Sequence, residues 1–581
     1  MNRLYFKYQN RINLFKNIVL SITLLILSKF FIIQTISSSN YKAQIESKTI
    51  SYKEQTGIRG NIYDCNRNLL AYSIKKCLFW ISSDNLQEKN KSQIIDLFSK
   101  ELNKSSKIYE NIFNSKSRYL VIEKDIVLND HKDLVNKSKD IEHLRIDYYD
   151  HRLYPYNELA AQLIGFTNND NIGRYGIEGY FDDLLIGHNE IVEYNKTASG
   201  KTKLNENITN LAKNGSDIEL TIDIKIQEIL QNQLKSAVIK NKAKSANGII
   251  LNSNSGEILA IASLPDFDLN KFYNLPVDSA EKFYLNRPIS NAYEPGSTLK
   301  IICFADALEN NLDKIKDIYF CENGLYKGKY IDPFKDHDEG YDSLTFEEIF
   351  SNSSNIGTVK IFQELELKSF YERLKRFGFG IKTNISMSDE HKGDIKSLRY
   401  YRNNIRDLAS ISIGQSILVT NLQLATAYAS IANGGYMLKP KIIKSIKSNN
   451  KEENFYKPTI LYKSISTETS DRLLSMLEKT VFEGTAKKAY IPGFSIGGKT
   501  GTAEIWDIDN KEYSKKEYIS SFASIFPIEN PKYVLIISLE APSYNNRWAG
   551  ESAAPCAKNI IEEIIFYDKD LQLRKAYNDR A

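Results

Sequence analysis

A single apolar stretch near the N-terminus constrains this chain more than any other feature. It runs from Ile18 to Ile36, 19 residues in which Lys29 is the sole charge, about the length that a helix needs to cross a bilayer. Basic residues precede it and acidic residues do not: Arg3, Lys7, Arg11 and Lys16. The positive-inside rule therefore predicts a cytoplasmic tail over residues 1–17, a transmembrane helix over 18–36 and an extracytoplasmic remainder.

Two alternatives for this stretch fit less well. A cleaved signal peptide has a shorter apolar core and a small-residue cleavage site, and residues 37–40 (Ser-Ser-Ser-Asn) are a poor one. A buried helix of a soluble protein is the other alternative. Lys29 is unfavourable inside a bilayer unless it faces protein or snorkels to the surface. We therefore predict an uncleaved single-pass membrane anchor.

Length and composition set limits on the remainder. A chain of 581 residues suggests roughly two to four folded units, each large enough for its own core. The 77 basic and 72 acidic residues leave a net charge of +5, which gives no indication of a nucleic-acid partner. The five cysteines are scattered and form no Cys-x-x-Cys pair, so they predict neither a zinc site nor a disulfide framework. We expect no metal and no cofactor.

The hydrophobic pattern divides the extracytoplasmic part in two. A polar, turn-rich stretch over residues 37–50 is typical of a linker. Residues 51–215 combine short apolar runs with turn clusters, which predicts an irregular α+β domain. Near residue 216 the pattern changes to one alternating run, typical of a strand, followed by apolar residues at helical spacing over 226–238.

The second domain is predicted to be of the α/β type. Two apolar runs flank Asn252–Gly256 and indicate a β-hairpin, helical patterns follow to about residue 435, and a strand returns over 533–539. Helices inserted between an early hairpin and a late strand that pairs with it predict one α/β domain over residues 216–570, whose sheet joins distant parts of the chain, with a helix over 554–566. A polar tail over 571–581 closes the chain.

The chemistry-bearing motif is Ser297-Thr298-Leu299-Lys300. Pro295 and Gly296 break the structure before it and a helical apolar pattern follows, so Ser297 and Lys300 share one face of a first helical turn. An uncharged amine at that spacing can take the hydroxyl proton of a serine nucleophile. The spacing alone is weak, since it recurs at 73–76 and 448–451.

Two further motifs follow in order. Ser353 and Asn355 can supply a second hydroxyl and an amide. Residues 497–503 (Gly-Gly-Lys-Thr-Gly-Thr-Ala) allow a substrate backbone to lie close to a strand, with Lys499 and Thr500 supplying a cation and a hydroxyl. Ser-x-Asn is common in this chain, whereas Lys-Thr-Gly occurs once.

Together the three motifs resemble the signature of penicillin-binding proteins and class A β-lactamases. The similarity continues through about residues 50–560, in stretches that resemble the pedestal (dimerisation-type) and transpeptidase domains of class B enzymes: 59–64, 152–155, 176–178, 220–223, 414–420 and 432–435. The anchor and the long pedestal argue against a small secreted β-lactamase. The chain is identified as a member of the class B penicillin-binding proteins, with a pedestal over 51–215. This resemblance implies a transpeptidase domain over 216–570 with an antiparallel sheet flanked by helices, held outside the bacterial inner (plasma) membrane.

The resemblance is greater to the septal, FtsI-type enzyme of cell division than to the elongation enzyme, because of the contexts Ser353-Ser354-Asn355 and Glu294-Pro295-Gly296-Ser297. Departures from the family pattern include Cys65, Arg67 and Asn421, which stands where the family usually has Pro. They fall on the pedestal or the scaffold. An elongation-type enzyme, or a penicillin-binding sensor or scaffold with little turnover, remains the alternative.

The resemblance also implies roles for individual residues. Ser297 would be the nucleophile, Lys300 its base, Ser353 the proton relay and Asn355 the group that orients substrate and Lys300. The backbone amides of Ser297 and Thr502 would form the oxyanion hole, and Lys499, Thr500, Gly501 and Thr502 would hold the substrate carboxylate. Lys300 must then be neutral, which a nearby Lys499 cation and partial burial would favour by lowering the pKa of its amine.

The implied substrates are peptidoglycan stem peptides, a D-Ala-D-Ala donor and an amine acceptor, with β-lactams as mimics of the donor. The implied partners are a polytopic glycan polymerase and division proteins in the membrane, since residues 37–215 resemble no glycosyltransferase. A nucleophile elbow at 493–497 fails because His391, the last histidine, precedes it. Residues 336–339 (Asp-His-Asp-Glu) are predicted to be a solvated turn and not a metal cluster.

Overall fold

The computed structural model describes residues 2–42, 50–196, 202–204, 212–310, 316–328, 333–337, 340–448, 451–507 and 510–578. Residues 43–49, most of the second half of the predicted linker, lie outside the described residues. The chain forms two compact units, one of residues 1–58 with 187–214 and one of residues 59–186 with 215–581.

The helices and strands up to residue 223 are, in chain order, α1 (Asn2–Gln34), β1 (Ile50–Gln55), β2 (Ile62–Tyr63), β3 (Leu69–Ser82), α2 (Glu88–Glu101), α3 (Ser106–Phe113), β4 (Tyr119–Val127), α4 (Lys132–Ser138), β5 (Arg145–Leu153), α5 (Ala161–Ile164), α6 (Gly176–Tyr180), α7 (Asp182–Leu185), β6 (Glu190–Lys196), β7 (Thr202–Leu204) and β8 (Asp217–Leu220). After residue 223 the first of them are α8 (Ile224–Asn241), β9 (Ser245–Asn252), β10 (Ile258–Leu264), α9 (Ala280–Tyr284), α10 (Arg287–Ser290), α11 (Lys300–Asn310), β11 (Ile318–Phe320), β12 (Leu325–Tyr326), β13 (Phe334–Lys335), β14 (Ser343–Thr345), α12 (Phe346–Ser351), α13 (Asn355–Glu364) and α14 (Leu367–Arg376). The remaining elements are α15 (Leu398–Asn403), α16 (Ile405–Ser410), α17 (Asn421–Ala432), β15 (Tyr436–Leu438), β16 (Ile443–Ser448), β17 (Lys451–Asn454), β18 (Ile460–Lys463), α18 (Thr467–Phe482), β19 (Gly497–Asp507), β20 (Glu512–Phe526), β21 (Tyr533–Glu540), α19 (Ala553–Tyr567) and α20 (Lys569–Asn578).

The first unit contains helix α1 and the antiparallel sheet β1-β6-β7. Within α1, residues Tyr8–Gln34 are long and apolar enough to cross a membrane, and their side chains are exposed. The predicted apolar helix is therefore present, although it begins near the N-terminus and ends at Gln34, before Ile36. One helix of this kind is consistent with a single-pass anchor.

The second unit opens with a sheet that joins distant parts of the chain. Its strand order is β17-β16-β8-β2-β3-β4, with β5 on β3, and β2 pairs with β8 in parallel. Helices α2, α3 and α4 supply buried side chains to the core beneath β3 and β4. Beside it, Glu178 is fully buried and bridges Arg59 and Arg152, with oxygen–nitrogen distances of 2.7 Å to each. A buried carboxylate needs such partners because desolvation would otherwise favour its neutral form.

A five-stranded antiparallel sheet, β10-β9-β21-β20-β19, forms the centre of the second unit. The predicted hairpin is confirmed as β9 and β10, and the predicted late strand is confirmed as β21, which pairs with β9 over its whole length. Helices α8 and α19 pack together on one face, and α17 contacts β9, β20 and β21. All twelve residues of α17 are buried, and its polar side chains, Asn421, Gln423, Thr426 and Ser430, are hydrogen-bonded. The predicted antiparallel sheet flanked by helices is confirmed.

Candidate active site

The turn that carries Ser297 is held in place by backbone and tyrosine contacts. Residues Gly296–Leu299 form one 3₁₀ turn that leads directly into α11, with Lys300 as the first residue of the helix. Gly296 has a φ of +54° and donates its N–H to the Gly414 carbonyl at 3.0 Å. Tyr428 of the buried helix α17 donates its hydroxyl to the Thr298 carbonyl at 2.8 Å. Ser297 is half-buried at this turn.

Asn421 ties Tyr293, three residues before this turn, to the central sheet. Its amide nitrogen donates to Asn247 Oδ1 at 2.6 Å and to Ser538 Oγ at 3.1 Å, on β9 and β21. Its oxygen accepts the Tyr293 hydroxyl at 2.5 Å. Proline could make none of these side-chain contacts. The departure from the family pattern thus supplies a polar tie between the sheet and the segment that precedes Ser297.

Lys300 converges on the second motif, as predicted. Its side chain is 0% exposed, and Nζ lies 2.6 Å from the Ser353 carbonyl oxygen, 3.3 Å from Ser353 Oγ and 2.8 Å from Asn355 Oδ1. Ser353 has a φ of +59°, the left-handed conformation, which is strained for a residue other than glycine. The strained backbone directs both the carbonyl and the hydroxyl of Ser353 toward the same amine.

Lys499 approaches Ser353 from the third motif. Its side chain is also 0% exposed, and Nζ donates to Ser353 Oγ at 2.8 Å and to the Thr500 carbonyl at 3.3 Å. Lys499 lies on β19, which pairs with β20 from Gly497 onward. A hydroxyl between two amines can accept from one and donate to the other, which is the arrangement that a proton relay needs.

Burial changes the acidity of both amines. Desolvation lowers the pKa of Lys300 to about 7, against an opposing influence from the Asp336 carboxylate. It also lowers the pKa of Lys499 well below the ordinary value, and the charge of Lys300 lowers it further. The predicted direction for Lys300 is therefore found, but its cause is complete burial, where partial burial was expected. The predicted contribution of a charged Lys499 is not found, because the pKa of Lys499 is itself lowered well below its ordinary value. Two ammonium groups on one hydroxyl repel each other, so the pair holds fewer than two protons near neutral pH.

Asp336 anchors the second motif and contradicts the prediction of a solvated turn at this residue. Its two carboxylate oxygens accept from Asn355 N at 2.6 Å, Ile356 N at 3.1 Å and Ser354 Oγ at 2.8 Å. Ser354 in turn caps α13 by accepting from Gly357 N at 2.9 Å. Backbone donors at a helix start stabilise a carboxylate, which is why Asp336 is held there. Among the described residues no group suited to a metal ion is present.

Strand β19 lies directly against the Ser297 turn. A Cβ added to Gly501 would lie 2.6 Å from the Pro295 carbonyl oxygen, and one added to Gly296 would lie 3.2 Å from the Thr502 carbonyl oxygen. These distances explain glycine at both positions. They also show that the backbone of the Ser297 turn lies against the backbone of β19 near Thr502.

The hydroxyls of β19 have partners on loops. Thr500 and Thr485 share a hydrogen bond of 2.7 Å between their Oγ1 atoms. Thr502 Oγ1 accepts from Ala549 N at 3.1 Å, which leaves its own proton for another acceptor. Next to Ala549, the ring of Trp548 meets the ring of His337 edge to face at 4.5 Å, so the Asp336 and Thr502 sides of the site touch.

The structure thus brings Lys300, Ser353, Asn355 and Lys499 into direct contact. It places the turn that carries Ser297 against the strand that carries Lys499, Thr500, Gly501 and Thr502. Sequence reasoning missed Asp336 and Thr485. No motif marks either residue, and each acts through a loop that is distant in sequence from its partner. The acidic cluster at 336–339 was the one available signal, and it was assigned to solvent.

Comparison with known proteins agrees with this arrangement. The penicillin-binding protein transpeptidase domain model matches residues 246–562, and the penicillin-binding protein dimerisation domain model matches residues 54–220. The chain is 28% identical over 575 residues to peptidoglycan D,D-transpeptidase FtsI of Buchnera aphidicola, covering 96% of this chain and 95% of that protein. It is 30% identical over 464 residues to stage V sporulation protein D of Bacillus subtilis, covering 79% and 70%.

A solved structure shares the fold. Penicillin-binding protein 3 of Mycobacterium tuberculosis in complex with ampicillin superposes with a TM-score of 0.68, at 24% identity, covering 89% of this chain and 96% of that one. The matched domains and the shared fold define a serine-type peptidoglycan D,D-transpeptidase. The chain belongs to the class B penicillin-binding proteins, in which a dimerisation domain precedes the transpeptidase domain.

Proposed function

We propose that Ser297 is the nucleophile with which this transpeptidase cross-links stem peptides, and that Lys300 is its base. The observation that carries the proposal is the full burial of Lys300 in contact with Ser353 and Asn355, which lowers the pKa of its amine to about 7. An amine with this pKa is substantially neutral at physiological pH and can accept a proton. Lys300 is the first residue of the helix into which the Ser297 turn leads, three residues after Ser297, which supports its assignment as the base.

The reaction then proceeds in two halves. Ser297 Oγ attacks the carbonyl carbon of the penultimate D-Ala while its proton passes to Lys300. The C–N bond to the terminal D-Ala breaks, and the leaving amine receives a proton through Ser353, which contacts both lysines. The amine of a second stem peptide attacks the resulting ester, which restores the Ser297 hydroxyl and forms the cross-link.

Two groups of contacts stabilise the proposed intermediates. The backbone N–H groups of Ser297 and Thr502 would hold the developing oxyanion, and such preorganised donors contribute about 3–4 kcal/mol each in well-studied enzymes. Lys499, Thr500, Gly501 and Thr502 would hold the carboxylate of the terminal D-Ala. The free proton of the Thr502 hydroxyl supports this assignment, since its oxygen already accepts from Ala549.

We further propose that β-lactams acylate Ser297. The Mycobacterium tuberculosis protein with the same fold was solved in complex with ampicillin, which supports the assignment. A fluorescent penicillin is therefore a direct probe. It should label the full chain in detergent, label a Ser290→Ala control equally, and fail to label Ser297→Ala. Persistent labelling of Ser297→Ala would show that another residue is the nucleophile.

A donor stem peptide with an added amine acceptor then separates an enzyme from a sensor. A transpeptidase forms the cross-linked product and releases D-Ala at the same rate. A penicillin sensor or scaffold would be labelled by penicillin without forming a cross-link. This second assay decides turnover, because penicillin labelling reports acylation alone.

The cellular role that we propose is septal. Similarity to FtsI over almost the whole chain supports it, as do the contexts of Ser297 and Ser353. The sporulation protein at 30% identity and the elongation enzymes are the competing assignments. Depletion of the protein should produce filaments or arrested division; rounded cells would indicate elongation, and a defect confined to spores would indicate sporulation.

The proposed location follows from the N-terminal helix. We place residues 1–17 in the cytoplasm, the anchor in the plasma membrane and the catalytic domain outside it. The proposed partners are a polytopic glycan polymerase and division proteins in the same membrane. Co-purification from crosslinked membranes, with a variant whose α1 is replaced by an unrelated anchor as the control, tests that pairing.

A further inference from the structure

Glu294, three residues before Ser297, occupies a position that the acyl-transfer chemistry leaves unexplained. One carboxylate oxygen, Oε1, accepts from Ser416 N at 2.8 Å and from the Tyr513 hydroxyl at 2.9 Å. The other, Oε2, is buried and lacks a hydrogen-bond partner among the described residues. A buried carboxylate with an orphaned oxygen costs stability, so its presence beside the nucleophile suggests a function.

The contacts of Glu294 join three separate parts of the site. Ser416 lies two residues after Gly414, whose carbonyl accepts the N–H of Gly296. The loop at 414–416 is therefore hydrogen-bonded to the Ser297 turn and to Glu294. Tyr513 lies on β20, where it pairs with Trp506 of β19, and the two rings meet edge to face at 5.0 Å. The same β19 strand carries Lys499 and Thr502. One oxygen atom therefore ties the Ser297 turn to the supporting loop and to the β19–β20 hairpin.

We propose that Glu294 is a positioning residue for acyl transfer: as a carboxylate it holds the Ser297 turn in register with the β19–β20 hairpin, and protonation loosens that hold. The proposal rests on the proposed role of Ser297. A charged oxygen accepts stronger hydrogen bonds than a neutral one, so the tie to Tyr513 and Ser416 weakens when Glu294 takes a proton.

The surroundings of Glu294 favour its protonation. Burial raises the pKa of its carboxyl, the hydrogen bonds from Ser416 and Tyr513 oppose that rise, and the carboxylates of Asp407 and Glu504 add to it. Asp407 faces it from α16, Glu504 from β19 and the Tyr513 phenol from β20. Burial also raises the pKa of Glu504, and it raises that of Tyr513, to which the Glu294, Asp407 and Glu504 carboxylates add. The titratable neighbours are thus acids that disfavour a second negative charge.

Acylation should therefore lose rate in acid at two separate titrations. One belongs to Lys300, whose amine must be neutral and has a pKa of about 7. The second belongs to Glu294 and lies at lower pH, where the remaining rate falls again. The second-order rate of acylation by a fluorescent penicillin, measured on the full chain in detergent across this range, resolves both.

Two variants test the assignment from opposite sides. Glu294→Gln keeps the shape of the side chain and cannot titrate. The second loss of rate at lower pH, the lower limb of the pH profile, should therefore disappear, and the maximal rate at high pH should fall by about tenfold. Tyr513→Phe removes a bond to the carboxylate, so the lower limb should move to higher pH. Tyr518→Phe is the matched control, because its hydroxyl, on the same strand, donates to the Lys515 carbonyl; its profile should equal that of the wild type.

The outcomes are distinguishable. A purely structural role would lower the rate equally at all pH values and leave the limb unmoved in Tyr513→Phe, which would overturn the proposal, as would an unchanged limb in Glu294→Gln. Tyr513→Phe decides alone if Glu294→Gln fails to fold, as judged by its thermal unfolding. If Ser297 is not the nucleophile, the penicillin will label Ser297→Ala or will fail to label the wild type, and neither result depends on Glu294.

Discussion

Ser353 is the residue through which the two buried lysines meet. Lys300 and Lys499 both direct Nζ toward its hydroxyl, at 3.3 and 2.8 Å, and neither amine is exposed to solvent. The proximity of like charges and the absence of water act in the same direction, since both disfavour the ammonium form. The site therefore contains a base that is available near neutral pH without a histidine.

The pH dependence of acylation tests whether Lys300 is the base. Because burial lowers the pKa of Lys300 to about 7, the neutral amine accumulates as pH rises through that value. The rate of acylation by a penicillin should rise with pH across about 7 and level off above it. In Lys300→Ala the rate should fall by about 10²- to 10⁴-fold and lose this limb. A wild-type rate that is flat through pH 7 would contradict a role for Lys300 as the base.

Asp336 has a separate effect on the same amine. Asp336→Asn removes the charge that holds Ser354 and the start of α13, so acylation should fall by about 10- to 100-fold. The Asp336 carboxylate also raises the pKa of Lys300, so the upper limb of the pH profile should move to lower pH in this variant. Asp389→Asn, an exposed residue with a φ of +64°, is the control and should change neither quantity.

At the scale of elements, the Ser297 turn depends on how closely the loop at Gly414 approaches it. A Cβ at Gly414 would lie 1.9 Å from the Gly296 carbonyl oxygen, and its φ is +79°. Gly434 has nearly the same φ, +80°, but a Cβ added there would lie 3.7 Å from its nearest neighbour, a methyl carbon of Thr467. Alanine would therefore suffer the same backbone strain at both positions, but it would clash with a neighbouring backbone atom only at Gly414.

Alanine substitutions at these two glycines separate strain from displacement. Gly434→Ala should lower the free energy of unfolding by about 1 kcal/mol and leave acylation unchanged. Gly414→Ala should introduce the same backbone strain and also displace the Ser297 turn, which should lower the rate of acylation by about 10²-fold or more. Thermal unfolding and penicillin labelling of the folded variants measure the two effects. Equal acylation in both variants would show that the turn tolerates the shift.

The elements that sequence predicted well are those with a strong hydrophobic period. The runs on either side of Asn252–Gly256 and over 533–539 are apolar enough to be buried on both faces, and they form adjacent strands. Ser297, Lys300, Ser353 and Lys499 were found through motifs whose order in the chain is informative. Asp336, Thr485 and Glu294 were not, because each acts through a hydrogen bond that closes between segments distant in sequence. Folding creates such pairs, and residue spacing does not encode them.

At the scale of the whole molecule, strands far apart in sequence share one sheet. β2 pairs with β8 and β8 with β16, so segments near residues 62, 218 and 443 are adjacent. The Arg59, Arg152 and Glu178 cluster lies in the same unit, buried and close to β2. The ion pairs within the cluster allow its charges to be buried, and removing one member would leave an unpaired buried charge.

The orientation of the chain in the membrane is a second property at this scale. A reporter that is active outside the cytoplasm, fused after residue 42, should be active because the basic residues before α1's apolar stretch stay inside. Replacing Arg3, Lys7, Arg11 and Lys16 with Asn should reduce that activity. Lys29→Leu, within the span, is the control and should retain it. An inactive reporter on the unaltered chain would reverse the predicted topology.

The contact of two buried lysines with one serine has a thermodynamic consequence for ligand binding. With both pKa values lowered, the empty site holds fewer protons than two free amines would. A carboxylate arriving beside Lys499 raises both pKa values again, so binding should take up to about one proton from the buffer. Titration calorimetry of Ser297→Ala with a donor peptide, in buffers of differing ionisation enthalpy, should give heats that change with the buffer. The negative charge of the ligand would then favour protonation of the two buried lysines, which the protein alone disfavours.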